Sequence, residues 1–162
     1  MKDNITYNER ISSLRTTLLF LVLTLIFLLL FVWRANATPL DFLAGVLFFF
    51  FVMFFFYSLN YRALLIRITP ESFKLTFGIF HMTISLENVA ASRLDEIPTF
   101  MKYGGAGIHF MMIDNRYRAS FNFLEYPRVV VALKHKRGPV QDVSFSTCQP
   151  DAVLSLIHQQ RA

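Results

Sequence analysis

The sequence predicts an α+β chain in three parts: an N-terminal pair of membrane-spanning helices, an antiparallel β-sheet domain, and one closing C-terminal helix. Three observations carry this. Hydrophobic residues make up 54% of the 162 residues and Phe alone occurs 19 times, yet the excess is concentrated in two early runs. From residue 60 onward, charge is spread throughout and apolar residues alternate with polar ones, the period of half-buried strands. Near the end, QPDAVLSLIHQQ changes from period two to the spacing of an amphipathic helix.

The expected organisation is a cytoplasmic N-terminal segment over 1–13, transmembrane helices over 14–33 and 40–59, a short extracytoplasmic loop over 34–39, and a cytoplasmic domain over 60–162. The first run, LRTTLLFLVLTLIFLLLFVW, has no charge after Arg15, and the second, LDFLAGVLFFFFVMFFFYSL, is charged only at Asp41. Each is about 20 residues, enough to cross about 30 Å of hydrocarbon as a helix. Both are apolar all round, whereas a core helix of a soluble domain is amphipathic.

Between them, Thr38 is expected to cap the second helix, Pro39 suits its first position, and the Asp41 carboxylate can reach back to free N–H groups. Capping accounts for Asp41 better than an ion path does. So short a connection requires an antiparallel hairpin, with Ala44 and Gly45 available for a close helix contact. Ala35-Asn36-Ala37 has the A-x-A form of a signal-peptidase site, but the apolar run is longer than a signal h-region and Arg34 intrudes, so an uncleaved helix is expected.

Basic residues set the orientation. Lys2, Arg10 and Arg15 precede the first helix, Arg34 stands alone in the connection, and Arg62 and Arg67 follow the second. Basic flanks stay inside, so both termini are expected in the cytoplasm. A single cysteine, Cys148, agrees with a reducing compartment.

In the remaining part, strands are read at Leu64–Ile68, Phe73–Phe77, Phe80–Leu86, Ile108–Met112, Tyr117–Phe123, Val129–Leu133 and Val143–Phe145, about seven in a meander. Turns are expected at Thr69–Ser72, Gly78, Asp114–Asn115 and Lys136–Pro139. Pro150 and Asp151 suit the start of the closing helix, whose apolar face is Val153, Leu154 and Ile157.

A bent antiparallel sheet sealed by one terminal helix is the order of a pleckstrin-homology-like (PH-like) fold. The chain resembles a group of bacterial membrane proteins with PH-like domains. The resemblance rests on the two leading helices, on LTFGIFHMTISLENV, on YGGAGI (Tyr103, Gly104, Gly105, Gly107 and Ile108 around Ala106), and on the late strands leading to SFSTCQPDAVLSLI. In that group the position of Ala106 is commonly a large aromatic and that of His109 commonly arginine, and this chain departs at both. The resemblance implies a PH-like fold and a multi-pass inner-membrane protein; it does not imply phosphoinositide binding.

The glycine cluster is read as a bend rather than a ligand loop. A phosphate cradle needs a helix after it and commonly a Lys-Ser/Thr pair, and here a strand pattern follows. No catalytic constellation is visible. His81, His109, His135 and His158 show no metal-ligand spacing, and Asp95 and Glu96, adjacent on an extended chain, point apart. Cys148 precedes a helix N-terminus, where a thiol's pKa can fall, but the plainer reading is a small residue near a cap. No enzyme activity and no cofactor are expected.

The charge pattern says more. Arg116, Arg118, Arg128, Lys134, Lys136 and Arg137 fall within 22 residues, and they are the candidate contact for anionic lipid headgroups or an acidic partner, against a plain solvated face. Nucleic acid is not expected, since no aromatic platform is interleaved with them. The function expected is a membrane-anchored binding or scaffold module that recruits a protein partner, preferably through a sheet edge or the open end, or contacts anionic lipid. The alternative is an accessory subunit of a transport or envelope complex that acts through its helices.

Overall fold

The computed structural model describes residues 5–37, 39, 41–96 and 106–160. The chain forms two compact units: a helical one over Ser13–Arg62, and a β-rich one that combines the residues up to Ser12 with those from Ala63 onward.

In the helical unit, α1 (Leu14–Ala37) and α2 (Phe42–Asn60) form an antiparallel pair. Aromatic rings lock the register: Phe20 meets Tyr57, Phe27 stacks on Phe50 and Phe54, and Phe31 meets Phe48, with centroids 5.1 to 5.7 Å apart. α1 starts at a cap in which the Ser13 hydroxyl accepts from the Thr16 backbone N–H at 3.0 Å. α2 starts three residues later than a Thr38 cap with Pro39 in the first position predicts. Asp41 is itself the N-cap, its carboxylate accepting from the Ala44 N–H at 2.9 Å, while Thr38 lies outside the described residues. Arg34, expected in the connection, lies in the last turn of α1 and forms an ion pair with Asp41. Ala44 is buried, but a Cβ on Gly45 would meet nothing within 4 Å, so Gly45 does not enable the helix approach. Both helices are long and apolar enough to cross a membrane, with mean hydropathies of 2.7 and 2.4. Only 11% of each span is buried, where a soluble core helix would be mostly buried.

The β-rich unit holds two sheets. The first runs β1 (Tyr7–Ser12), β2 (Ala63–Ile68), β3 (Ser72–Phe77), β4 (Phe80–Ser85), all antiparallel. A short 3₁₀ turn, Leu86–Asn88, leads to the second sheet: β5 (Val89–Leu94), β6 (Gly107–Ile113), β7 (Arg116–Asn122), β8 (Arg128–Arg137) and β9 (Val140–Ser146), in the order β5-β8-β9-β7-β6. α3 (Pro150–Gln159) packs on β5 and β8 through buried Val153 and Ile157.

The sheets bury their apolar faces. Leu64, Ile66, Ile68, Phe73, Leu75 and Phe77 of the first are all fully buried, as are Val129, Val131, Val143 and Phe145 of the second. Phe73 and Phe145 have ring centroids 5.9 Å apart, and Phe77 meets Phe123 edge-on at 5.1 Å. Fully burying one such side chain stabilises the fold by about 1.5–3 kcal/mol.

Four features differ from the sequence reading. The segment over 1–13 is not a plain leader: Tyr7–Ser12 is a strand paired along β2, from Tyr7↔Ile68 to Ser12↔Ala63. The sheet domain therefore does not begin at residue 60, and the helical unit is an insertion between two adjacent strands. β5 is a second strand that the sequence did not announce. The sheet is also not a pure antiparallel meander, because β7 and β9 pair in parallel, Arg118↔Asp142 to Phe121↔Phe145. Chain direction reverses at each strand, so when the β8–β9 hairpin docks its second strand on β7, two strands of like direction meet. Finally, the β6 stripe of Phe110 and Met112, which period two suggested as core, is 56% and 67% exposed, because β6 lies at the sheet edge.

The turns follow backbone chemistry. Asp114 and Asn115 both take positive φ, 51° and 59°, as a two-residue hairpin turn requires. Gly78 (φ 52°) and Gly138 (φ 60°) supply the same freedom at the β3–β4 and β8–β9 turns.

Candidate functional site

The six predicted contact residues separate into two groups. Arg116, Arg118 and Arg128 enter a row of alternating charge on one face of the second sheet. Arg116 clasps Asp142 with its Nε 2.9 Å from Oδ1 and a terminal nitrogen 2.7 Å from the same oxygen. Arg118 lies 3.8 Å from the other Asp142 oxygen and 3.4 Å from Asp95, which in turn receives Arg128 at 2.6 Å. The side chains of Arg118, Arg128, Asp95 and Asp142 are only 2% to 4% exposed, and Arg116 stands at the open end, 41% exposed. The parallel register Arg118↔Asp142 builds this row, since it sets the two residues side by side on one face.

Burial pushes the Arg128 guanidinium below its ordinary pKa, and Asp95 opposes that; the Asp142 hydrogen bonds push Arg116 up. Three guanidiniums meet two carboxylates, and among the described residues the Nε atoms of Arg118 and Arg128 find no hydrogen-bond partner. Buried pairs of this kind gain little net stability, but losing one partner is costly. Arg118 and Arg128 are thus sequestered within the domain, and of the three arginines only Arg116 reaches the surface.

Lys134, Lys136 and Arg137 are exposed, at the other end of β8. Lys134 lines a cleft of about 490 Å³ together with Glu71, Glu87, Ser85 and Gln160. Two carboxylates face one ammonium there, so the cleft suits polar, hydrogen-bonding contacts and offers no concentrated positive field.

Of the glycine motif, Gly107 is buried with φ 109°, a backbone conformation that favours glycine, and it opens β6 with Ile108 beside it. Tyr103, Gly104 and Gly105 lie outside the described residues. The histidines are dispersed: His81 is exposed on β4, His109 half-buried on β6, His135 exposed on β8, and His158 meets the Ser92 hydroxyl at 3.1 Å. Among the described residues no three His, Cys, Asp or Glu side chains group to hold a metal ion. Partial burial and the Glu9 carboxylate push the Cys148 thiol up, away from a reactive thiolate.

Glu9 is a junction that the sequence reading missed. Its carboxylate accepts from the Tyr7 hydroxyl at 2.9 Å, the Thr147 hydroxyl at 2.6 Å and the Cys148 N–H at 2.7 Å. It fastens β1 to the β9–α3 link, and nothing local in YNERIS signals so distant a contact. The remaining surface of note is the β6 edge. Among the described residues β6 pairs only with β7, its outward residues Phe110 and Met112 are exposed, and Phe110 stacks on Tyr117 at 6.1 Å. An apolar edge strand can accept a further strand. Compared with protein-family models, curated proteins and solved structures, the chain matches none of them.

Proposed function

We propose that this chain is a membrane-anchored binding module: two spanning helices hold a PH-like domain at the cytoplasmic face of a bacterial inner membrane, where it recruits a protein partner. The observation that carries the reading is the β1–β2 pair. Ser12 and Ala63 are opposite one another, so the strands that enter and leave the helical insertion belong to one sheet. Helices that span would then return the chain to the side it left, with both termini together. Arg10, Arg15 and Arg62 near this base, against Arg34 alone at the far connection, support the cytoplasmic side.

A four-stranded antiparallel sheet facing a second sheet, with a terminal helix, supports the PH-like reading, and the parallel β7–β9 pair is a departure from it. The partner surface is the β6 edge with Phe110 and Met112. The exposed Lys134, Lys136 and Arg137 suit an acidic partner better than the lipid: along β8 they lie about 20 Å or more from the Arg128 end, which is the end tied to Ser12 through Tyr126. That exceeds the roughly 8 Å reach of surface charge in physiological salt.

The alternative, a subunit acting through its helices, is separated by photo-crosslinking the intact chain in its membrane. Crosslinks from residues 110 and 112, and none from lipid-facing positions such as 22 and 49, support the module. Partner crosslinks from 22 and 49 alone support the subunit.

A further inference from the structure

The two ends of the first sheet differ in kind. At one end the chain departs for the apolar helices, from Ser12 and into Ala63, which are paired. The β3–β4 turn lies at this same end, because Leu64 pairs with Phe77 and Phe77 with Phe80. Its tip carries Ile79, 69% exposed, and Phe80, 39% exposed. The β7–β8 loop is drawn to this end as well. The Tyr126 hydroxyl donates to the Ser12 carbonyl at 2.9 Å, and Phe123 meets Phe77. Leu124, next to Phe123, is 49% exposed. At the opposite end the turn is Thr69-Pro70-Glu71, polar as turns in water are. From Phe77 to Thr83 there is no acidic residue.

We infer that Ile79 and Phe80, with Leu124 at the same end of the domain, enter the lipid interface as a third attachment point of the sheet domain. The inference rests on the membrane reading of α1 and α2, and it adds that the hairpin turn itself contacts lipid. Apolar tips beside a membrane gain from burial among headgroups and upper acyl chains, and register alone brings these residues to the departure end. With this end against lipid, the domain would be held at three points and its tumbling on the tether restricted.

The test uses the full chain in phosphatidylcholine–phosphatidylglycerol vesicles, in a Cys148→Ser background that removes its single cysteine. An environment-sensitive fluorophore is placed by Ile79→Cys, and in a second variant by Phe80→Cys. Glu87→Cys at the polar end and Phe49→Cys on α2 serve as references. Nitroxide lipids labelled near the headgroup should quench residue 79 or 80 strongly and residue 87 hardly at all. Ile79→Ser should raise labelling of residue 80 by a water-soluble thiol reagent about tenfold, the scale of one buried isoleucine. Quenching at 79 and 80 no greater than at 87, with residue 49 quenched, overturns the inference and leaves the membrane reading standing. A blue-shifted but unquenched probe means that protein covers the turn, and also overturns it. No quenching at residue 49 overturns the membrane reading, and this inference with it.

Discussion

The two units of this chain bury opposite things. The helical unit turns most of its leucines and several phenylalanines outward, Leu29 at 67% and Phe49 at 62% exposed, and encloses Thr24 and Ser58. Thr24 and Ser58 spend their hydroxyls on backbone carbonyls of their own helices. The β-rich unit packs its apolar chains inside and then goes further, sequestering four charges of the five in its row. The same twenty amino acids thus face opposite ways in the two units. Where the surroundings are apolar, polar groups must close on themselves; where they are water, apolar groups must. The lesson is that a Phe count says little until the face it occupies is known.

The largest test of this contrast removes the helical unit altogether. Because Ser12 and Ala63 are opposed in an antiparallel pair, deleting 13–62 and joining the ends through Asn-Gly leaves an ordinary hairpin. That protein should be soluble and unfold cooperatively in urea. A fragment that starts at residue 63 loses β1, with buried Ile11 and the Glu9 junction, and should not reach a cooperative transition.

Next in size is the charge row. Asp95→Ala leaves Arg128 without its carboxylate and Arg118 with Asp142 alone, and should destabilise the joined domain by about 3–5 kcal/mol in chemical denaturation. Arg116→Ala, at the exposed end, should cost much less. A similar loss from both would mean that the row is as wet as the surface.

A matched pair of substitutions comes third. Phe73→Ala, in the core, should cost about 3–5 kcal/mol. Phe49→Ala, facing outward on α2, should change the stability of the intact chain in bilayer by no more than about 0.5 kcal/mol. Equal costs would place Phe49 in a packed interface.

The smallest effect is alkaline. Burial first, and then the Glu9 hydrogen bond, push Tyr7 from 10.0 up to about 12. The neutral phenol is thus favoured in the folded chain. Its contribution is complete below pH 10 and is lost as pH rises toward 12. Tyr7→Phe should flatten the fall in denaturation midpoint over that window.

How much of this was legible from residues alone depended on whether a signal was local. The helices were plain because each contains its own apolar run. β2, β3 and the turns at Asp114–Asn115 and Gly138–Pro139 were plain because period two and φ preference act within a few residues. β1 was hidden, since its strand partner follows fifty intervening residues and its inward Glu9 reads as solvent-facing. The arginine cluster misled for a related reason. Counted along the chain, six cations look unopposed, yet Asp95 and Asp142 come from upstream of β6 and from β9, through a parallel pairing that no hairpin rule anticipates. The edge position of β6 likewise depends on strand order, so alternation at Phe110 and Met112 could not say which face would be covered.

The place of β1 ahead of the helices has a consequence for biogenesis. This strand is made before its neighbour and must wait until Ala63–Ile68 is synthesised before it finds its partner. In between come the two long apolar helices. On the membrane reading proposed above, completion of the domain is contingent on a finished insertion, and a chain stalled halfway through that step would leave the Tyr7–Ser12 strand without its neighbour.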